Sequence, residues 1–582
     1  MRKGIPVSPG IAVARVYRVE HPVSWDEPHH LDAAALSGEI ARFDEACNAA
    51  VRELDAIIAR VSQEIGEGEA AIFRAHRLLL RDNRLIAKVK NTIRERRVDA
   101  ATALRHVVDE YKALNLQITD PYLQERTADL RDVMARLLSQ LATATCPVFD
   151  VDEPVILVAP EILPSQALTY DRRYIAGILT ERGGATGHAA LLARALGIPA
   201  VSGLRGLLRE VQTGELVVLD GREGHVYINP GPEVEAAYRK LQREYVDLSA
   251  KLIENRDLES VTPDGQRIEL LANVNSPADA EMAAKVGAAG VGLYRTEYLF
   301  LTHPSVPNED EQVAAYRAVI EAAPNRTVTI RTLDLGGDKH VPYFAHHSEA
   351  NPFMGFRSIR LSTAYPEFFQ TQLRAILRAG AHGRVSILFP MISTLEEVVR
   401  LKRAVRRARE ELRRQGIAHA QEVPVGVMLE VPAAAVCVKR ILGEVDFASI
   451  GSNDLVQYLM AADRDNPKVA HLCEPFSPAL MRVLARVIRA CVAQDKPVTL
   501  CGEMAGRPRC FLPLFGMGLR RLSMSPGFVP SIKDLVRHTP TDFARHVADR
   551  VLQMHTTKGI SKFLMQKVEE IWPTGKVLDV RK

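Results

Sequence analysis

Two groups of residues in this chain have types and spacing suited to chemistry. The first lies in residues 181–200, Glu-Arg-Gly-Gly-Ala-Thr-Gly-His-Ala-Ala-Leu-Leu-Ala-Arg-Ala-Leu-Gly-Ile-Pro-Ala. An apolar run at 175–179 leads into Gly183 and Gly184, then Thr186 and His188, and a helix-period segment is closed by Gly197 and Pro199. The pattern predicts that His188 stands where a glycine loop enters a helix. Glycines let backbone N–H groups approach an anion closely, and a helix N-terminus favours phosphate and disfavours imidazolium. A neutral imidazole beside a phosphate-tolerant cradle is a nucleophile for phosphoryl transfer. The second group is spread through the C-terminal half: Arg295, Arg331, Glu430, Asn453, Asp454 and Cys501 each stand at or just past the end of a short apolar run.

A lone histidine at a helix start is ordinarily just a polar residue; here the whole string matters. Gly-Gly-Ala-Thr-Gly-His-Ala-Ala-Leu-Leu-Ala-Arg resembles the phosphohistidine signature of the enzymes that exchange phosphate with phosphoenolpyruvate. That group includes enzyme I of the bacterial sugar phosphotransferase system, pyruvate phosphate dikinase and phosphoenolpyruvate synthase. In it the residue before the histidine is commonly Ser or Cys, and here it is Gly187, so no hydroxyl or thiol flanks the nucleophile. Six later segments resemble, in order, the phosphoenolpyruvate-binding segments of enzyme I. They are Gly292-Leu-Tyr-Arg-Thr-Glu, Arg331-Thr-Leu-Asp-Leu-Gly-Gly-Asp-Lys, Asn351-Pro-Phe-Met-Gly-Phe-Arg, Met428-Leu-Glu-Val-Pro, Gly451-Ser-Asn-Asp-Leu-Val-Gln-Tyr and Cys501-Gly-Glu-Met-Ala-Gly. The resemblance covers nearly the whole chain.

The substrate it implies can be matched to residue types. The phosphate and carboxylate of phosphoenolpyruvate suit the guanidinium forks of Arg295, Arg331 and Arg464, with Arg357 in support. A hard cation bridging those oxygens suits Glu430 and Asp454, with waters completing the octahedron of Mg²⁺. When phosphate leaves, the enolate must be protonated at carbon, and Cys501 is placed to be that acid. By the resemblance, substrate falls to Arg295, Arg331, Arg357, Asn453 and Arg464, with Asn453 on the phosphate. Metal falls to Glu430 and Asp454, the proton to Cys501 and the phosphohistidine to His188. Taken singly, a charge at a strand end is often a structural ion pair and such a cysteine a core residue; the reading rests on the set.

The elements that must position these residues follow from periodicity. Apolar runs at 270–274, 291–294, 328–330, 385–389, 425–429, 447–450, 498–500 and 522–524 alternate with helical stretches, which predicts a (β/α)8 TIM barrel with its chemistry at the C-terminal ends of the strands. Residues 4–20 and 155–158 read as strands and turns. Between them, over 32–141, the period becomes helical: Ile40, Phe43, Ala46, Ala50, Leu54, Ile57, Ile58 and Val61 share one stripe, and further stripes follow Glu69, Asp99 and Asp120. Residues 231–257 read as one long helix. The expectation is an α/β multidomain chain: a phosphohistidine swivel domain at 1–28 and 145–230, an inserted helical subdomain at 29–144, a helical linker at 231–260, the barrel at 261–540 and a helical tail at 541–582.

The opening Gly4-Ile5-Pro6-Val7-Ser8-Pro9-Gly10-Ile11-Ala12 also resembles the start of enzyme I. That resemblance implies that the insert docks an HPr-type phosphocarrier protein, that the barrels form a homodimer and that the His188 domain swivels. Arg74, Arg77, Arg81 and Arg84 would line one face of the insert if a single helix ran through them, a face often acidic in enzyme I.

Composition excludes other classes. With 47% hydrophobic and 25% charged residues the chain reads as an ordinary globular protein with several cores. A net charge of +4 gives no cause to expect nucleic acid. No stretch has signal-peptide or membrane-helix character, and seven cysteines without a Cys-x-x-Cys pair argue against a disulfide framework or structural zinc; a cytoplasmic location is expected. The reading is a phosphotransferase moving phosphate from phosphoenolpyruvate to His188 and on to a carrier. Its alternatives are a dikinase or synthase relative, which needs a further nucleotide-binding domain, and a degenerate regulatory protein.

Overall fold

The computed structural model describes residues 1–8, 10–19, 31–32, 35–64, 73–74, 76–77, 79–115, 132–134, 136–141, 152–160, 172–181, 193, 197–221, 224–302, 306–336, 349, 351–464, 466 and 468–573. They form two compact units that divide between Val246 and Asp247, within the helix Pro232–Glu254.

In the first unit eight described strands make one sheet: β1 (Arg2–Lys3), β2 (Ile5–Ser8), β3 (Ile11–Arg18), β4 (Val155–Ala159), β5 (Ile175–Thr180), β6 (Ala200–Ser202), β7 (Leu216–Asp220) and β8 (His225–Ile228), in the order β1-β8-β7-β3-β4-β5-β6-β2. The central pairs β3–β4, β4–β5 and β5–β6 are parallel. β4, covered on both faces, has no polar side, which explains its unbroken apolar sequence Val-Ile-Leu-Val-Ala. Along β4, Val155, Leu157 and Ala159 enter one core while Ile156 and Val158 enter the core on the opposite face. The sequence between β3 and β4 folds as helices, among them Leu36–Glu64, Asn83–Arg96 and Ala100–Asn115. The anticipated stripe is buried at Phe43, Ala46, Ala50, Leu54 and Ile57. Asp99 caps the last of these helices, accepting the Thr102 N–H at 2.6 Å.

The arginine face is not continuous. Arg81 lies in a turn, and the Ile86 N–H bonds the Asp82 carbonyl as a new helix begins. Arg77 is tied to Asp55 at 2.7 Å. The period of three and four does not survive the turn that Asp82 and Asn83 favour.

In the second unit β9 (Glu269–Val274), β10 (Val291–Arg295), β11 (Thr327–Arg331), β12 (Arg384–Phe389), β13 (Val425–Met428), β14 (Phe447–Ile450), β15 (Val498–Leu500) and β16 (Arg521–Met524) are parallel and close into a barrel, with β16 paired to β9. All eight expected runs are strands. Ser276 with Asp279, Asn308 with Glu311 and Thr394 with Glu397 form capping boxes that start the helices Pro277–Lys285, Glu309–Ala322 and Leu395–Arg414. Inside the barrel, Leu293, Leu388, Met428, Phe447 and Cys501 make a buried cluster. The helices Thr541–Gln553 and Thr557–Ile571 contribute Val547, Ile560 and Leu564 to the main core of this unit. Trp572 is fully buried and donates from Nε1 to Asp534 at 2.6 Å, so residues 541–573 pack as part of the barrel unit.

Candidate active site

The C-terminal ends of the barrel strands collect the second group of residues. Arg295 and Arg331 are the last residues of β10 and β11, Glu430 lies two residues past β13, and Cys501 directly follows β15. Asn453 and Asp454 sit in the first turn of the helix Ser452–Met460 beyond β14. Arg357 and Arg464 arrive from the segments flanking short helices.

A chain of ion pairs joins them. Arg331 Nη2 lies 2.9 Å from Glu297 and Arg331 Nη1 3.2 Å from Asp334. Asp334 also accepts two hydrogen bonds from Arg357 Nη2, at 3.0 and 3.1 Å. Arg357 Nη2 is 3.8 Å from Asp454, whose other oxygen is 3.3 Å from Arg464 Nη1. Burial alone would lower the pKa of Arg331 and Arg357, but the surrounding carboxylates outweigh it and leave both raised. Arg295 goes the other way: burial, then repulsion from Arg331, lowers it. Glu297, Cys501 and Glu503 offset this only in part, so Arg295 is a ready partner for an anionic ligand.

Glu430 is 1% exposed. Burial first, then the Asp454 and Asp334 carboxylates, push it up to about 8. Its Oε1 accepts the Met391 N–H at 2.6 Å, and Met391 has a left-handed φ of 55°, a backbone cost that persists where surrounding structure fixes it. A side chain at Gly451 would collide with the same carboxylate. Glu430 and Asp454 offer oxygen donors alone, and Asp454 Oδ1 is buried without a hydrogen bond to accept, a pair that fits a hard divalent cation. Among the described residues no group of three or more His, Cys, Asp or Glu forms a larger metal cluster.

The Cys501 thiol is 2% exposed, and burial pushes it up to about 11. Its sulfur accepts from the Ser449 hydroxyl at 3.2 Å and donates to the Ile450 carbonyl at 3.4 Å. The Cys501 carbonyl accepts from Asn273 Nδ2 at 2.9 Å, and Asn273 is itself held by Ser523 at 2.7 Å. Asn453 accepts the Glu503 N–H at 3.0 Å, which ties the segment after β14 to the one after β15.

His188, with Gly183, Gly184, Thr186 and Gly187, lies outside the described residues. The segment's entry and exit are described. Thr180 at the end of β5 bonds Ser202 at 2.9 Å, and Glu181 accepts the Leu208 N–H at 2.9 Å. Beyond the segment Gly197 takes φ 65°, as a helix stop requires.

Sequence reasoning missed Glu297, Asp334 and Gln372. Glu297 also accepts the Asp334 N–H at 3.0 Å. Gln372, fully buried, accepts the Leu333 N–H at 3.1 Å and donates to Thr296 Oγ1 at 3.3 Å, while Thr296 donates to the Arg331 carbonyl at 2.9 Å. The available signal was an acid two or three residues beyond a strand-end arginine. Because Asp334 bridges two buried guanidinium groups, Asp334→Ala is expected to destabilise the barrel unit by about 3–5 kcal/mol. Urea unfolding of wild type and variant measures it, and a loss below about 1 kcal/mol would mean the bridge is not a structural keystone.

Comparisons with known proteins bear on the whole chain. The family model described as the PEP-binding domain of PEP-utilising enzymes matches residues 249–541, the N-terminal model of the same enzymes matches 3–126 and their mobile domain matches 151–224. The phosphoenolpyruvate-protein phosphotransferases of Bacillus sp. (strain S) and Geobacillus stearothermophilus are each 40% identical over 563 residues, covering 96% of this chain and 97% of the relative. That of Haemophilus influenzae is 38% identical over 565 residues, covering 97% and 98%. With the barrel closed, the charged set gathered at its C-terminal rim and relatives 40% identical over 96% of its length, the chain belongs to the phosphoenolpyruvate-protein phosphotransferase family of PEP-utilising enzymes.

Proposed function

We propose that this chain works as enzyme I of a phosphotransferase system: phosphate passes from phosphoenolpyruvate to His188, pyruvate is released, and His188 hands the phosphate to an HPr-type carrier docked on the helical insert. The observation that carries the reading is the convergence of Arg295, Arg331, Arg357, Arg464, Glu430, Asp454 and Cys501 at one end of the barrel.

The arginines take the phosphate and carboxylate of the substrate, and Asn453 supports the phosphate. Arg295, the least compensated of them, gains most from an incoming anion. PEP-utilising enzymes generally use a divalent metal. Here Glu430 and Asp454 would hold Mg²⁺, with substrate oxygens and water filling the other positions; when bound it neutralises charge developing on the substrate oxygens. Cys501, kept as a thiol by burial, protonates the enolate carbon. The barrels pair as a homodimer, and the His188 domain moves between donor and carrier.

The experiment is incubation of the purified protein with labelled phosphoenolpyruvate and Mg²⁺. Acid-labile, base-stable label on one histidine, transferable to an HPr-type carrier, is expected; labelling that requires ATP would favour a dikinase or synthase. A second expectation concerns the metal. Since Glu430 is held up to about 8 and a metal must displace its proton, cation affinity should rise about tenfold per pH unit below pH 8 and level off above it. Mn²⁺ titration followed by electron paramagnetic resonance reads this. An affinity flat between pH 6 and pH 8 would mean that Glu430 is already ionised there, and undiminished affinity in Glu430→Gln would remove it from the ligand set.

A further inference from the structure

Ser449 is the third residue of β14, fully enclosed at 1% exposure. The buried cluster that holds the Cys501 side chain is apolar, built from Leu293, Leu388, Met428 and Phe447, and of Cys501 the Asn273 amide reaches only the carbonyl. A hydroxyl there is costly unless it bonds. Its bond is to sulfur: Ser449 Oγ donates to Cys501 Sγ at 3.2 Å, while the thiol donates in turn to the Ile450 carbonyl at 3.4 Å. The sulfur is therefore held between one donor and one acceptor, and its proton is not committed to Ser449.

We propose that Ser449 is a positioning residue for carbon protonation, aiming the Cys501 thiol and stabilising the thiolate it becomes. The inference rests on the reading of Cys501 as the proton donor. In that step the S–H bond breaks and a C–H bond forms at the methylene carbon of the enolate. The electron pair stays on sulfur, and the thiolate is later reprotonated from water. A hydrogen bond to a charged acceptor is roughly twice as strong as one to a neutral acceptor, so the Ser449 contact strengthens as charge develops on sulfur. An interaction stronger in the transition state than in the ground state raises the rate rather than the affinity. Burial works against the thiolate, and the Ser449 bond works for it.

The test compares Ser449→Ala, Cys501→Ala and the double variant in the full-length protein. Ser449→Ala removes one hydroxyl and should slow steady-state pyruvate formation about tenfold to a hundredfold, with the KM for phosphoenolpyruvate within about twofold and single-turnover labelling of His188 as fast as in wild type. In the Cys501→Ala background the same change should cost nothing further, because the sulfur it serves is gone. Ser449→Thr, which keeps the hydroxyl, should recover most of the rate. Equal losses in labelling and pyruvate formation would show a merely structural serine and overturn the inference. So would costs that multiply in the double variant, or wild-type turnover in Ser449→Ala when Cys501→Ala is slow. If Cys501→Ala itself turns over normally, it is the assignment of Cys501 that fails, and Ser449 falls with it.

Discussion

His188→Ala is expected to yield no phosphoenzyme while binding phosphoenolpyruvate with Mg²⁺ within about twofold of wild type. The expectation comes from a division of the chain. His188 belongs to the unit Met1–Val246, whereas Arg295, Arg331, Arg357, Asn453, Arg464, Glu430, Asp454 and Cys501 all belong to the unit Asp247–Asp579. The variant deletes the acceptor and leaves the donor site whole. Truncation to alanine adds neither bulk nor charge, so a general loss of fold is not expected. Labelled phosphoenolpyruvate and a gel read the first half, and equilibrium dialysis reads the second. Label persisting at another residue would reject His188 as the acceptor. Binding lost together with labelling would show that the substrate site is not self-sufficient in the barrel.

How much of this was legible in the sequence varies with the physics of each part. Parallel barrel strands are buried on both sides, so they appear as short unbroken apolar runs, and β14 and β15 were read to the residue. Because barrel chemistry sits at strand ends, knowing where a run stops also points to Arg295, Arg331 and Cys501. Contacts between distant segments carry no such signal. The spacing of Asp334 from Arg331 hints at a pair, but its bridge to Arg357, 23 residues away, is visible only in the fold. The left-handed turn at Met391, which aims an N–H at Glu430, has no glycine to announce it. The arginine face failed for a different reason. Three- and four-residue spacing is necessary for a helical stripe but does not show that the helix continues, and the turn at Arg81 ends it. Ser449 could not be singled out at all, since its meaning comes from a sulfur 52 residues away.

Cys501→Ala is expected to slow pyruvate formation by about 10² to 10⁴, the usual contribution of a positioned acid, with little change in the KM for phosphoenolpyruvate. Among the described residues the Cys501 thiol hydrogen-bonds only the Ser449 hydroxyl and the Ile450 carbonyl and no charged side chain, so its removal takes away a proton rather than a substrate contact. The first chemical step should survive: in a single turnover His188 should still be labelled, because phosphoryl transfer precedes protonation. The pH dependence separates this role from that of a thiolate nucleophile. Burial holds the thiol at about 11, so at pH 7 the proton is present in essentially every molecule. An acid with that pKa gives a rate that is flat on its account from pH 6 to pH 9 and falls only as pH rises through about 11. A thiolate nucleophile would give the opposite slope, with activity climbing toward high pH. Cys501→Ala turnover measured across pH 6 to pH 10 should therefore show a loss of constant size over the lower part of that range. A loss confined to the alkaline end would mean that the thiolate, not the thiol, is the working form. Unchanged turnover at every pH would leave Cys501 as a buried core residue and put the proton donor elsewhere in the barrel.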